Sequence, residues 1–368
     1  MRIRLFATVV VLACVALVVG GCSTATIAES PAVTVTADSG TPLAQLATLS
    51  DAKDYSGLVR AALPSSGISA PDPAPEQSLP TTVMSHDLSG DTSVTVSSTD
   101  RVIAMDISGS IAATIAGLGL LDSLVARDIS TTFDEAAALP VITSSAHTVN
   151  SEAILAMRPD LILTDGSIGP IDVVLQLRDA GVAVVFVETD PSVAGVAELA
   201  RQTATALGIP AAGEVLGEQL RSEIEAKITE IAGIVPRGDR LRMMFVYLRG
   251  TSGVYYLFGQ ESGSDVLITA LGGVDVAAEI GLEGMRPMTD EAMVAANPDL
   301  ILVMTSGLAS VGGVSGLLEA RPAIALTEAG KNQRFVEMDD GEILSFGPRT
   351  VTVLDALARA IYAPASGL

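Results

Sequence analysis

Ser151-Glu152-Ala153-Ile154-Leu155-Ala156-Met157-Arg158-Pro159-Asp160-Leu161-Ile162-Leu163 returns 139 residues later as Asp290-Glu291-Ala292-Met293-Val294-Ala295-Ala296-Asn297-Pro298-Asp299-Leu300-Ile301-Leu302, with 8 of 13 positions identical. Each copy begins with a helix-capping residue type (Ser151, Asp290), places a glutamate where the helix dipole favours it, and stops before a proline. A residue before proline leaves the helical region, and the apolar run that follows reads as a strand. The chain therefore carries two similar helix-to-strand units.

Outward from the first copy, Val102 to Met105, Leu161 to Leu163 and Val182 to Val187 read as strands, and Ile111 to Leu118, Ile171 to Ala180 and Ser192 to Leu207 as helices. Around the second copy, Leu241 to Leu248 and Leu300 to Val303 read as strands, with helices at Ser264 to Leu271, Glu291 to Ala296 and Arg349 to Tyr362. Such alternation indicates βαβ units and a mostly parallel sheet in each half. Between the halves, Pro210 opens a helix in which Leu216, Leu220, Ile224, Ile228 and Ile231 form one apolar stripe. Glu223 and Lys227 form an i,i+4 pair on its polar side. The expected fold class is α/β: two Rossmann-like lobes joined by a single long backbone helix, with a ligand cleft between them.

At the N-terminus Arg2 and Arg4 precede the apolar run Phe6 to Val19, which ends in Gly20-Gly21-Cys22. This is a secretory signal. Val19-Gly20-Gly21-Cys22 also resembles a bacterial lipobox, in which cleavage precedes the cysteine and lipid is attached to it; a soluble signal with an incidental cysteine is the competing reading. Cys14 leaves with the signal, so no internal disulfide can close. Residues 23–100 are rich in Ser, Thr, Pro, Ala and Asp and read as a flexible tether. The expected boundaries are 1–21 signal peptide, 22–100 tether, 101–208 first lobe, 209–235 connecting helix and 236–368 second lobe.

Composition narrows the function. The 368 residues carry a formal net charge of −22, which removes the clustered cations that nucleic acid requires. The sequence contains no G-x-S-x-G elbow, P-loop, G-x-G-x-x-G or H-E-x-x-H, so it reads as a non-enzyme. Its two histidines cannot build a multi-histidine metal site, and His86 falls in the expected tether.

His147 lies in the small polar loop Thr143-Ser144-Ser145-Ala146-His147-Thr148, after a strand and before the first repeat helix, where open α/β sheets form clefts. Tyr247-Leu248-Arg249 ends a strand of the second half, and residues two apart on a strand point the same way. A cation beside a phenol favours the phenolate, a hard anionic ligand suited to ferric iron. Tyrosinate and histidine both ligate haem, and one from each lobe would sandwich a flat ring. Read alone, His147 is equally a hydrogen-bonded surface histidine, and Tyr247-x-Arg249 an ordinary strand-end pair.

From about residue 101 to 362 the chain resembles the cluster A substrate-binding proteins of ABC importers for haem, siderophores and cobalamin. Within these it is most similar to the HmuT group of haem-binding lipoproteins of actinobacteria. The resemblance implies His147 and Tyr247 as axial ligands of haem b carried as cargo, with Arg249 hydrogen-bonding the tyrosine. It also implies Glu152 and Glu291 as lobe-tip carboxylates that engage a permease dimer coupled to an ATPase. Helix-dipole complementation is the plainer reading of both glutamates. The expected location is the outer face of the cell membrane, anchored by lipid at Cys22, with haem or a haem-donor protein as partner. Tyr255, Tyr256, Met285 and Met288 are candidate pocket residues. A ferric-siderophore or cobalamin receptor is the alternative within the family, and an extracellular haem-processing enzyme the alternative outside it.

Overall fold

The structure is a computed structural model that describes residues 32–37, 40–65, 67–144, 147–250 and 253–367. The expected signal peptide and Cys22 lie outside the described residues. In chain order the strands are β1 (Val33–Thr36), β2 (Leu58–Ala62), β3 (Thr81–Asp87), β4 (Gly90–Val96), β5 (Val102–Met105), β6 (Leu124–Arg127), β7 (Leu161–Thr164) and β8 (Ala183–Phe186). They continue as β9 (Arg242–Arg249), β10 (Val254–Phe258), β11 (Val274–Asp275), β12 (Met285–Pro287), β13 (Leu300–Met304) and β14 (Phe335–Met338).

In the first lobe the sheet order is β6-β5-β7-β8 and every pairing is parallel. Its central strands β5 and β7 are buried along their whole length, as expected of strands with helices on both faces. In the second lobe the order is β1-β2-β14-β13-β9-β10-β12, with β11 beside the start of β9. Its centre is parallel, while β9, β10 and β12 pair antiparallel, so this half is a mixed sheet.

The helix Pro210–Ile234 joins the lobes and is about 38 Å long at 1.5 Å per residue. It packs on the helix Val193–Ala206 through small residues: a Cβ at Gly217 would lie 2.8 Å from the Ala197 carbonyl oxygen. The expected Glu223–Lys227 pair does not form. Lys227 turns instead toward the C-terminal helix Thr350–Tyr362, where Nζ meets Asp355 Oδ1 at 2.9 Å, and it also pairs with Glu230 at 2.5 Å. Glu223 accepts a hydrogen bond from Gln219.

The flexible tether expected over 22–100 is corrected wherever that stretch is described. β1 and β2 extend the second lobe's sheet, with Val35 and Val59 each 1% exposed. Arg60 pairs with Glu337 across the β2–β14 ladder at 2.6 Å. Buried Arg334 donates to the Tyr55 and Ile361 carbonyls, and Arg359 to that of Thr41. The β3–β4 hairpin packs on the first lobe, where Arg178 binds Asp87 through both terminal nitrogens and Phe186 N donates to Ser85 Oγ. In β1 and β3 small and polar residues suffice because alternate side chains face the solvent.

Both repeat helices form, over Ser151–Ala156 and Asp290–Ala296, but each is capped one residue earlier than expected. Asn150 Oδ1 accepts from Ala153 N, and Thr289 Oγ1 from Ala292 N. Both helices end on a left-handed non-glycine residue, Arg158 at φ 48° and Asn297 at φ 40°, immediately before the proline.

Candidate functional site

In a parallel strand layer the loops leaving the carboxyl ends of the strands make the cleft. Such loops and strand ends, from β5 and β6 in the first lobe and from β9, β13 and β14 in the second, enclose a cavity of about 430 Å³, inside the range of small-molecule sites. The first lobe contributes Ile107 after β5, Ile129, Ser130 and Thr132 after β6, and His147. The second contributes Tyr247, Leu248 and Arg249 at the end of β9, Met304, Ser306, Gly307 and Ser310 at and after β13, and Asp339 to Gly341 after β14.

Alternation along β9 sorts its side chains. Met244, Val246 and Leu248 join one apolar cluster, while Phe245 packs in the larger one. Phe245, Phe258 and Tyr247 form an aromatic row, with ring centroids 5.0 Å and 5.9 Å apart in succession. Tyr247 is thus the outermost ring of a row that starts in the core. Arg249 Nε donates to Tyr247 Oη, and the guanidinium carbon lies 5.6 Å from the phenol ring centroid.

His147 is held by a tight turn in which its own N donates to the Ser144 carbonyl and Ser144 N to the Thr148 carbonyl, both at 3.0 Å. Thr143 Oγ1 anchors the same turn by accepting from Ile129 N at 2.9 Å. His147 has φ 56°, a left-handed conformation that costs free energy for a residue with a side chain. Its Nδ1 is 3.4 Å from Ser130 Oγ. Burial lowers the imidazole pKa, Arg249 lowers it further, and Asp340 opposes them. Charges on the second lobe are therefore felt by the histidine of the first.

The cavity floor in the first lobe rests on two buried aspartates. Asp106, after β5, accepts from Ser110 N and Ile111 N, and Asp128, after β6, accepts from Thr131 N and Oγ1. Burial and the neighbouring carboxylates of Asp165 and Asp128 push Asp106 up to about 8, and burial pushes Asp128 up to about 6.

The structure brings His147, Tyr247 and Arg249 to one cavity, but Tyr255, Tyr256, Met285 and Met288 are not among its lining residues. They sit on β10, on β12 and just after it, on the antiparallel side of β9, with Tyr255 paired to Leu248 and Tyr256 to Tyr247. Tyr255 lies under the Arg321 guanidinium at 3.9 Å, Tyr256 sits opposite Tyr247 in the ladder, Met285 is exposed and Met288 is buried in the apolar cluster. Glu152 and Glu291 are exposed in the first turns of the repeat helices, outside the cavity. Ser130, Ser306 and Asp339 to Gly341 escaped the sequence reading; their one signal is position, each following a strand of the parallel layer. Among the described residues no cluster of three or more His, Cys, Asp and Glu side chains is placed to hold a bare metal ion, and no helix is long and apolar enough to cross a membrane.

A family model for periplasmic binding proteins matches residues 106–341. Among solved structures, the heme binding protein HmuT is 39% identical, with a TM-score of 0.78, covering 85% of this chain and 99% of that one. Variants of it in which a histidine, a tyrosine or an arginine is replaced by alanine match comparably. The periplasmic heme-binding protein RhuT from Roseiflexus sp. RS-1 is 35% identical, with a TM-score of 0.64 over 73% of this chain and 100% of that one. The periplasmic heme-binding protein BhuT, in complex with two hemes, is 31% identical, with a TM-score of 0.61 over 71% and 97%. No curated protein sequence matches the chain.

Proposed function

Since the chain belongs to the periplasmic binding protein family, we propose that it is the extracytoplasmic receptor of an ABC importer and that its cargo is haem. His147 and Tyr247 serve as the axial ligands, from opposite lobes, and Arg249 supports the tyrosine. The observation that carries this reading is that His147 lines one cavity with Tyr247, 100 residues later in sequence, and with Arg249. The relatives add support. In HmuT the alanine replacements fall on a tyrosine and an arginine two positions apart and on a histidine 99 positions ahead of that tyrosine, close to the 100 found here.

The residues fit a ferric porphyrin on chemical grounds. Engagement of Nδ1 by Ser130 fixes the ring and leaves Nε2 to ligate, and a depressed pKa keeps that nitrogen unprotonated. The Arg249 N–H on Tyr247 Oη stabilises negative charge on the phenol oxygen. Ile107, Ile129 and Met304 supply apolar wall for the faces of a flat ring. Bound haem b is cargo, and the lobes do no covalent chemistry on it. Cys22 carries the lipid that holds the protein on the outer membrane face, and Glu152 and Glu291 engage a permease dimer driven by its ATPase. A haem-donor protein supplies the cargo.

Titration of the full chain in detergent with hemin, a ferric siderophore and cobalamin tests the assignment. The expected result is a saturable Soret band with hemin and no saturable binding of the other two. Tight siderophore or cobalamin binding without a hemin complex would transfer the protein to the alternative cargo.

A further inference from the structure

Three contacts join the lobes at and beside the cavity wall formed by Ser130, Thr132 and Gly341. Ser110 Oγ lies 3.4 Å from Ser345 Oγ, Arg349 Nη1 is 3.5 Å from Thr132 Oγ1, and between them the backbone of Gly341 meets that of Ser130. A Cβ added at Gly341 would stand 2.6 Å from the Ser130 carbonyl oxygen and 2.8 Å from Thr132 Cγ2. No side chain fits there unless these first-lobe atoms or the Gly341 turn give way.

Arg349 secures this approach. It is only 7% exposed, so its charge must be satisfied from within. Nη2 donates to the Gly341 carbonyl at 2.8 Å, and the guanidinium carbon lies 5.9 Å from the Phe133 ring centroid. Glu342 Oε1 is 3.8 Å from Nη1. One cation of the second lobe therefore holds its own glycine turn and, at the same time, Thr132 and Phe133 of the first. Both ends of the seam lead to the iron-ligating candidates: Ser130 contacts the His147 ring, and Asp340, next to Gly341, bears electrostatically on both His147 and Arg249.

We propose that Gly341 and Arg349 are positioning residues that set the width of the cleft, and with it the separation at which His147 and Tyr247 face each other. The consequence for ligation rests on the haem reading above; the seam itself does not. Two measurements separate the two. In ligand-free full chain, spin labels at Val141→Cys and Leu326→Cys report interlobe distance, because both positions are exposed and lie in different lobes. Gly341→Ala is expected to lengthen and broaden that distance while the cooperative thermal transition persists. In the hemin complex, Gly341→Ala and Arg349→Ala are expected to give the spectrum of His147→Ala and to release haem about tenfold faster or more, with Arg349→Lys intermediate. An unchanged ligand-free distance in Gly341→Ala overturns the seam. A changed distance with wild-type spectrum and release rate overturns the link to ligation. Absence of any hemin complex in the wild type removes the haem reading and leaves the distance result standing.

Discussion

At the residue scale the His147 imidazole is governed first by its own burial and then by charges on the other lobe. On the proposed ligation, protons compete with iron for the His147 imidazole, so ligation weakens as the pH falls and a lower free-ring pKa moves that loss to lower pH. Burial and the Arg249 cation hold that pKa below the ordinary 6.5, which extends ligation to lower pH, and Asp340 works against them. Removing the cation in Arg249→Ala raises the pKa and moves loss of ligation to higher pH; Asp340→Asn moves it lower. An NMR titration of the His147 ring in ligand-free protein checks both signs. Identical titration of both variants and wild type would show that the second lobe exerts no field on this histidine.

At the element scale the strongest expectation concerns the segment ahead of the first lobe. If β1 and β2 are integral to the second lobe's sheet, Val59→Ala removes buried methyl groups and lowers stability by about 1–3 kcal/mol, measured by denaturant unfolding. A change near zero would return this stretch to the status of a tether. The capping residues give a smaller effect: Asn150→Ala and Thr289→Ala each cost about 1 kcal/mol.

These same elements show what a single sequence discloses. The repeat was legible because helix, proline and apolar strand follow one another within 13 residues, and Val102 to Met105 and Leu161 to Leu163 were legible because fully buried parallel strands read as unbroken apolar runs. Val33–Thr36 and the Thr81–Val96 hairpin were missed because their apolar content is low and the surfaces that bury them are distant in the chain: Val33–Thr36 joins the sheet through Leu58–Ala62, which pairs with Phe335–Met338, and the hairpin packs on the first lobe. Similarly, Tyr247 and Arg249 were recognisable as a strand-end pair, whereas Ser130, Asp340 and Gly341 carry no motif. They become cavity wall only when loops from several strands converge.

At the scale of the whole molecule, a chain of net charge −22 with equivalent exposed glutamates on its two repeat helices suits a partner with basic residues in two-fold arrangement. Double charge reversal, Glu152→Lys with Glu291→Lys, is expected to leave the hemin spectrum intact and to abolish stimulation of the importer's ATPase. Wild-type stimulation by that variant would assign the glutamates to helix-dipole complementation alone. Between the lobes, the long helix, the seam at Gly341 and the N-terminal strands together favour small lobe movement on binding.

The most direct measurement is the absorption spectrum of the full chain with hemin, recorded for wild type, His147→Ala and Tyr247→Ala under one condition. Three different spectra are expected, with Tyr247→Ala losing the tyrosinate signature and each variant releasing hemin faster than wild type. Superimposable spectra and release rates for all three would contradict ligation of the iron by opposing side chains from the two lobes.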